Sequence, residues 1–239
     1  MTIHTLNALI EALRTNVPIN KVLISNTKKD KKVGVILDLC RRNRVVFQWV
    51  PQQTINRKAG PDNQGVFAEI APIKFVTLDE ILKEIKTGLL LILDSITDTG
   101  NMGAIIRTAV GADVDGIIIS RHHSAPINET VLKTSAGSLV KAKIVQSNNL
   151  THTIKELKKN DFWVVGADIL GNMPYYDYDF TYKTALVLGS EHKGISPLLK
   201  KNVDHLVSIP HSSRVESLNV SAAAAVILFE ALRQKGIGH

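Results

Sequence analysis

Leu89-Leu90-Leu91-Ile92-Leu93-Asp94 is the stretch that decides the fold. Its near-continuous apolar run has the character of a strand buried on both faces, as in a parallel sheet. A polar turn follows, and then a helix from about Met102 to Ala112. The alternation continues downstream. Strands are expected at Gly116–Ser120, Lys143–Val145, Phe162–Asp168, Ala185–Gly189 and Val207–Ile209. Helices are expected at Glu129–Ser135, Leu150–Lys159, Pro197–Lys201 and Val220–Arg233. Repeated β–α alternation predicts an α/β fold, a mainly parallel sheet with helices on both faces.

Upstream the chain reads as a separate small α/β unit. Leu6, Leu9, Ile10 and Leu13 recur at helical spacing, so Thr5–Thr15 is an expected amphipathic helix. Val33, Ile36, Leu37 and Cys40 mark a second over Val33–Arg41, with Cys40 on its apolar side. Lys21–Ser25, Val45–Val50 and Gly65–Ile70 read as strands. Gln52–Gln64, polar and containing Lys-Ala-Gly-Pro-Asp-Asn, reads as a loop. A helix over Leu78–Lys86, closed by Gly88, reads as a connector. The expected organisation is a domain over 1–74, a linker over 75–88 and a second domain over 89–239.

The chain has 239 residues and 44% of them are apolar, enough to bury a sizeable core and to exclude disorder. A single cysteine excludes an internal disulfide and a zinc site built on several thiolates. Leu89–Leu93 and Ala222–Phe229 fall far short of the roughly 20 residues that span a bilayer. The expected setting is cytoplasmic, with no membrane partner. The formal net charge is +7, and the whole surplus lies in residues 1–75, which hold 12 Lys/Arg against 5 Asp/Glu. Lys28-Lys29-Asp30-Lys31-Lys32, Arg41-Arg42-Asn43-Arg44 and Arg57-Lys58 concentrate it. A basic module on a neutral body suggests a polyanion held by the first part and acted on by the second.

In an open parallel sheet ligands bind beyond the carboxyl ends of the strands. Three turns rich in Gly, Asn, Ser and acidic residues stand at such ends: 94–103, 188–196 and 209–221. Gly100-Asn101-Met102-Gly103 has the wrong spacing for a dinucleotide fingerprint. In Gly189–Ser196 the lysine precedes the second glycine, unlike a P-loop. The adjacent His122 and His123 diverge on either a helix or a strand, so no metal is expected. There is no Gly-x-Ser-x-Gly for a hydrolase triad.

Taken together, Asn101…Arg107, Gly189-x-Glu191-x-x-Gly194 and Ile209-Pro210…Ser217-Leu218-Asn219-Val220-Ser221 resemble, in order and spacing, the three motifs of the TrmH/SpoU family of SPOUT-class RNA ribose 2'-O-methyltransferases. Residues 1–74 resemble the substrate-binding domain of bacterial 23S rRNA guanosine 2'-O-methyltransferases, with Asn63-Gln64-Gly65-Val66 near its end similar to a His-Gln-Gly-hydrophobic signature. The resemblance implies a C-terminal trefoil knot, a homodimer, and S-adenosylmethionine as cofactor. It places Gly189, Ile209 and Leu218 in the cofactor pocket, mostly through backbone groups. It implies catalytic roles for Asn101, Arg107, Glu191, Ser217 and Asn219. Arg107 would bind a phosphate beside the target ribose and stabilise the developing alkoxide, or itself take the proton, and Glu191 would hold Arg107 or the nucleoside. The implied substrate is a guanosine of 23S rRNA; a guanosine of tRNA and a non-catalytic RNA-binding role are the alternatives. The chain departs from the family pattern at Thr99-Gly100, where a proline is usual, at His211, where methionine is common, and at Asn63.

Overall fold

The structure is a computed structural model that describes residues 2–15, 17–70, 73–191 and 193–236. It divides into two compact units, Met1–Ile73 with Ile127–Val140 and Lys74–Pro126 with Lys141–His239.

The first unit runs β1 (Thr2–Ile3), α1 (Leu6–Arg14), β2 (Ile19–Ser25), α2 (Lys31–Arg42), β3 (Phe47–Val50), α3 (Gln52–Ala59) and β4 (Val66–Ile70). The strand order is β1-β4-β2-β3, antiparallel except where β3 lies along β2. The apolar stripes of the two long helices are buried: Leu6, Leu9, Ala12 and Leu13 on α1, and Val33, Ile36 and Cys40 on α2. Burial pushes the Cys40 thiol up to about 11. Little thiolate then exists at neutral pH, which suits a packing residue rather than a nucleophile.

The expected loop over 52–64 is in fact helical over Gln52–Ala59. Its one buried side chain, Ile55, joins Leu23, Val50 and Phe67 in a small cluster. A single apolar contact in two turns leaves no periodicity to read. Gly60, at φ +76°, ends the helix. Asn63 ties the following loop to α3. Its Oδ1 accepts from Gln52 Nε2 and the Gly65 N–H, and its Nδ2 donates to Asn56 Oδ1 and the Gly60 carbonyl.

The second unit begins with α4 (Leu78–Lys83), β5 (Leu89–Leu93), α5 (Thr99–Gly111) and β6 (Gly116–Ser120). Then comes α6 (Glu129–Thr134), within the segment Ile127–Val140 that groups with the first compact unit. The return is sterically close: a Cβ on Gly137 would lie 2.3 Å from Thr15 Oγ1. There follow β7 (Ile144–Ser147), α7 (Leu150–Lys159), β8 (Trp163–Ala167), β9 (Met173–Pro174), β10 (Thr184–Leu188), α8 (Pro197–Lys200), β11 (His205–Ser208) and α9 (Val220–Gln234).

These strands form one sheet in the order β7-β6-β5-β10-β8-β11-β9, with every pair parallel. Leu89–Leu93 is buried at every position. Leu90 and Ile92 join a cluster with Ile81 of α4, Ile154 and Leu157 of α7 and Leu199 of α8. Leu89, Leu91 and Leu93 point to the opposite face and are equally buried. Of the second unit's helices only α5 and α9, which pack on one another, remain to cover that face. The stretch 75–88 packs within the second unit. Ile81 is 1% exposed within the core, and the Val76 N–H donates to the Ile144 carbonyl. Among the described residues no helix is long and apolar enough to cross a membrane.

Candidate functional site

With β5, β8, β10 and β11 mutually parallel, their carboxyl ends lie along one edge of the sheet. The three polar turns are brought together there. Each is shaped by a local device. Asp98 caps α5, its Oδ1 accepting the Asn101 N–H at 2.7 Å. A Cβ on Gly100 would come within 3.0 Å of that carboxylate, so the glycine leaves the cap its room. α5 consequently starts at Thr99, a turn earlier than its apolar periodicity suggests, and Asn101 stands in its first turn.

In the second turn a Cβ on Gly189 would lie 2.0 Å from the Gly194 carbonyl carbon. Only a bare backbone allows the chain to close on itself there. The Gly194 N–H donates to the Ser190 carbonyl at 2.8 Å, and Gly194 takes φ +62°. Glu191 sits at the tip of this closed loop. Asp94, at the end of β5 and 6% exposed, accepts the Ser196 N–H at 2.8 Å and so fastens the second turn to the first.

In the third turn Asn219 caps α9. Its Oδ1 accepts from the Ser221 N–H at 2.8 Å. Its Nδ2 donates to Asn101 Oδ1 at 3.1 Å and to Glu191 Oε1. Asn101 Nδ2 donates to the same Glu191 oxygen at 2.9 Å. One residue from each turn thus meets in a closed hydrogen-bonded triangle. Asn101 and Asn219, through which the triangle is built, stand at the N-terminal ends of α5 and α9.

Beside the triangle lies a cavity of about 340 Å³. Gly189, Ile209 and Leu218 line it, as do Glu191 and Ser217. His211 lines it too and is exposed. Neither Asn101 nor Asn219 lines the cavity; both touch Glu191, which does.

Arg107 is not part of this assembly. Six residues turn a helix by about 240° beyond a full turn and advance it ~9 Å, so Arg107 cannot share a face with Asn101. Its side chain is exposed, and among the described residues it makes no hydrogen bond or ion pair. Glu191 therefore holds two asparagines, not Arg107.

Sequence reasoning missed two acidic residues that line or brace the site, Asp94 and Asp168. Asp168 follows β8, lines the cavity and pairs with Lys200 at 2.6 Å. The available signal was position: each is an acid directly after a buried apolar strand. Among the described residues no group of His, Cys, Asp or Glu could hold a metal ion.

Comparison with known proteins bears on this geometry. The model of the SpoU rRNA Methylase family matches residues 88–229. A model for RNA 2'-O ribose methyltransferase substrate binding matches residues 6–76. A protein of Staphylococcus aureus (strain COL), assigned to the TrmH family of tRNA/rRNA methyltransferases, is 37% identical over 233 residues, 96% of this chain and 94% of its own. Among solved structures, the SpoU methyltransferase AviRb from Streptomyces viridochromogenes, in complex with its cofactor AdoMet, superposes with a TM-score of 0.78 at 25% identity, covering 100% of this chain and 91% of that one. A TrmH/SpoU tRNA modifying enzyme of A. aeolicus gives a TM-score of 0.58 at 29% identity, covering 66% of this chain and 80% of its own.

Proposed function

We propose, from the premise that the chain belongs to the SpoU rRNA Methylase family, that it methylates a ribose 2'-hydroxyl of RNA, with a guanosine of 23S ribosomal RNA as target. Membership makes it an RNA methyltransferase; the ribose position and the target are our reading. The observation that carries it is the Asn101–Glu191–Asn219 triangle beside a cavity lined by Gly189, Ile209 and Leu218. The match of residues 6–76 to a 2'-O ribose methyltransferase substrate-binding model supports the ribose. The charge surplus, which lies in residues 1–75, supports a large RNA. The tRNA modifying enzyme matches only 66% of this chain, which favours ribosomal RNA over tRNA.

The methyl donor is S-adenosylmethionine, the cofactor bound by AviRb. The cavity fits it. A volume of about 340 Å³ falls in the range of small-molecule sites. Leu188, Ile209, Leu218 and Val220 give apolar walls for a purine, and the tightly closed Gly189–Gly194 loop presents bare backbone to its polar edge. This cofactor supplies a methyl group on a positively charged sulfur, so the protein's task is alignment and charge control.

Each residue then has a stated job. Glu191, fixed by two amides, and Ser217 orient the target ribose. Arg107, exposed and without a partner among the described residues, grips the phosphate of the same RNA strand and stabilises negative charge on the 2'-oxygen, whose proton passes to water. A guanidinium holds its proton too firmly to be an efficient base. The reading includes a homodimer, for which Phe229 on α9, half-exposed, offers an apolar face. It also includes the C-terminal knot. The close approach of Gly171 to the Val207 backbone is compatible with that path.

The test is mass spectrometry of ribosomal and transfer RNA digests from cells with and without the gene. We expect one 2'-O-methylguanosine of 23S rRNA to disappear. Loss confined to tRNA, or no change in any ribose methylation, would overturn the target.

A further inference from the structure

Asp168 lines the cavity with its side chain 5% exposed, and none of the roles above uses it. Its Oδ1 accepts the Leu170 N–H at 3.0 Å, and its Oδ2 lies 2.6 Å from Lys200 Nζ. An ionised carboxylate offers about four acceptor positions, two on each oxygen. Among the described residues, one position on each oxygen is filled and one on each is left. Buried carboxylates are tolerated when their remaining capacity is met by further hydrogen bonds. The backbone keeps the approach open. Gly194, at φ +62°, would bring a Cβ to 3.3 Å from Asp168 Oδ2, and it has none.

The chemistry of the missing donors follows from the pair. Lys200 already neutralises the carboxylate, so a cationic ligand group gains little there. Two free acceptor positions, side by side on one planar group, match two neutral donors held side by side. A vicinal diol presents its hydroxyls in that way. We propose that Asp168, held by Lys200, receives the 2'- and 3'-hydroxyls of the cofactor's own ribose and so selects a ribonucleoside in this cavity. The proposal rests on the S-adenosylmethionine reading above.

Calorimetry on the full chain tests it without any turnover. The probes are S-adenosylhomocysteine and its 2'-deoxy and 3'-deoxy analogues. Hydrogen bonds to a charged group are worth about 1.5–3 kcal/mol, so each deoxy analogue should bind the wild type about 10- to 100-fold more weakly. Asp168→Asn should weaken the parent ligand to a similar degree, and the deoxy analogues should then lose little more. Unchanged affinity of the wild type for both deoxy analogues overturns the proposal, whether or not the variant folds. So does a variant in which the two losses simply multiply. A wild type that binds the parent ligand but ignores the hydroxyls sinks only the Asp168 assignment. A wild type that does not bind S-adenosylhomocysteine at all sinks the cofactor reading with it.

Discussion

Glu191 and Asn101 share a hydrogen bond of 2.9 Å although ninety positions of chain separate them. Asn219 closes the triangle from a third segment, donating to both. All three side chains are at least partly open to solvent, so the contacts contribute little to folding. A net stabilisation of roughly 0.5–1.5 kcal/mol per hydrogen bond is an upper guide at such a site. Their value lies in fixing one carboxylate at the cavity.

Removing that carboxylate separates the two effects. Glu191→Ala should lower stability by no more than about 1 kcal/mol, the ordinary range for a partly exposed polar truncation. Methyl transfer at saturating RNA should fall by on the order of 10²-fold, as for other oriented active-site groups. Urea unfolding and single-turnover transfer measure the two. A variant that transfers at the wild-type rate would reduce the triangle to a structural clasp.

Arg107 calls for the opposite pattern of controls. It holds nothing within the described fold, so Arg107→Ala should leave unfolding and S-adenosylhomocysteine affinity unchanged. Transfer should drop by about 10²–10³-fold, the cost of losing a charge-stabilising donor. Arg107→Lys should also be poor, because a point charge cannot reproduce the planar fork that grips a phosphate through two bonds. Near-normal turnover in Arg107→Lys would show that charge alone is needed and that the two-bond grip is wrong.

The basic surplus makes a salt prediction. Lys29, Lys31, Arg41 and Arg42 are exposed on and before α2. Changing all four to Gln preserves helix propensity and removes four charges. Each lost phosphate contact should flatten the plot of log affinity against log salt by about 0.7–0.9. Filter binding of 23S rRNA at several salt concentrations reads the slope. An unchanged slope would place the RNA elsewhere on the protein.

Much of this was legible because burial on both faces writes itself into sequence. Leu89–Leu93 and the helix at Leu150–Lys159 stand where their patterns put them. The helix at Gln52–Ala59 was not legible, because Ile55 alone carries its packing. The return of Ile127–Val140 to the first unit leaves no local mark either; it depends on a glycine lying against Thr15. At the site, Asn101, Glu191 and Asn219 could be picked out by motif spacing, but not their mutual bonds. Those depend on strand order, which places β10 beside β5 despite the long chain between them. The separation of Arg107 from Asn101 could have been read from helical geometry alone. Asp168 escaped notice because its significance lies in the Lys200 contact and in the cavity it lines.

The most direct measurement follows the methyl group itself. The purified protein is incubated with S-adenosylmethionine labelled in the methyl carbon and with 23S rRNA lacking its own modification. The RNA is then hydrolysed with alkali. Hydrolysis of RNA needs a free 2'-hydroxyl, so a methylated ribose blocks cleavage at its own linkage. We expect the label to appear in an alkali-resistant dinucleotide that begins with guanosine. Label recovered in a mononucleotide would mean methylation of a base, and would contradict the account at its centre.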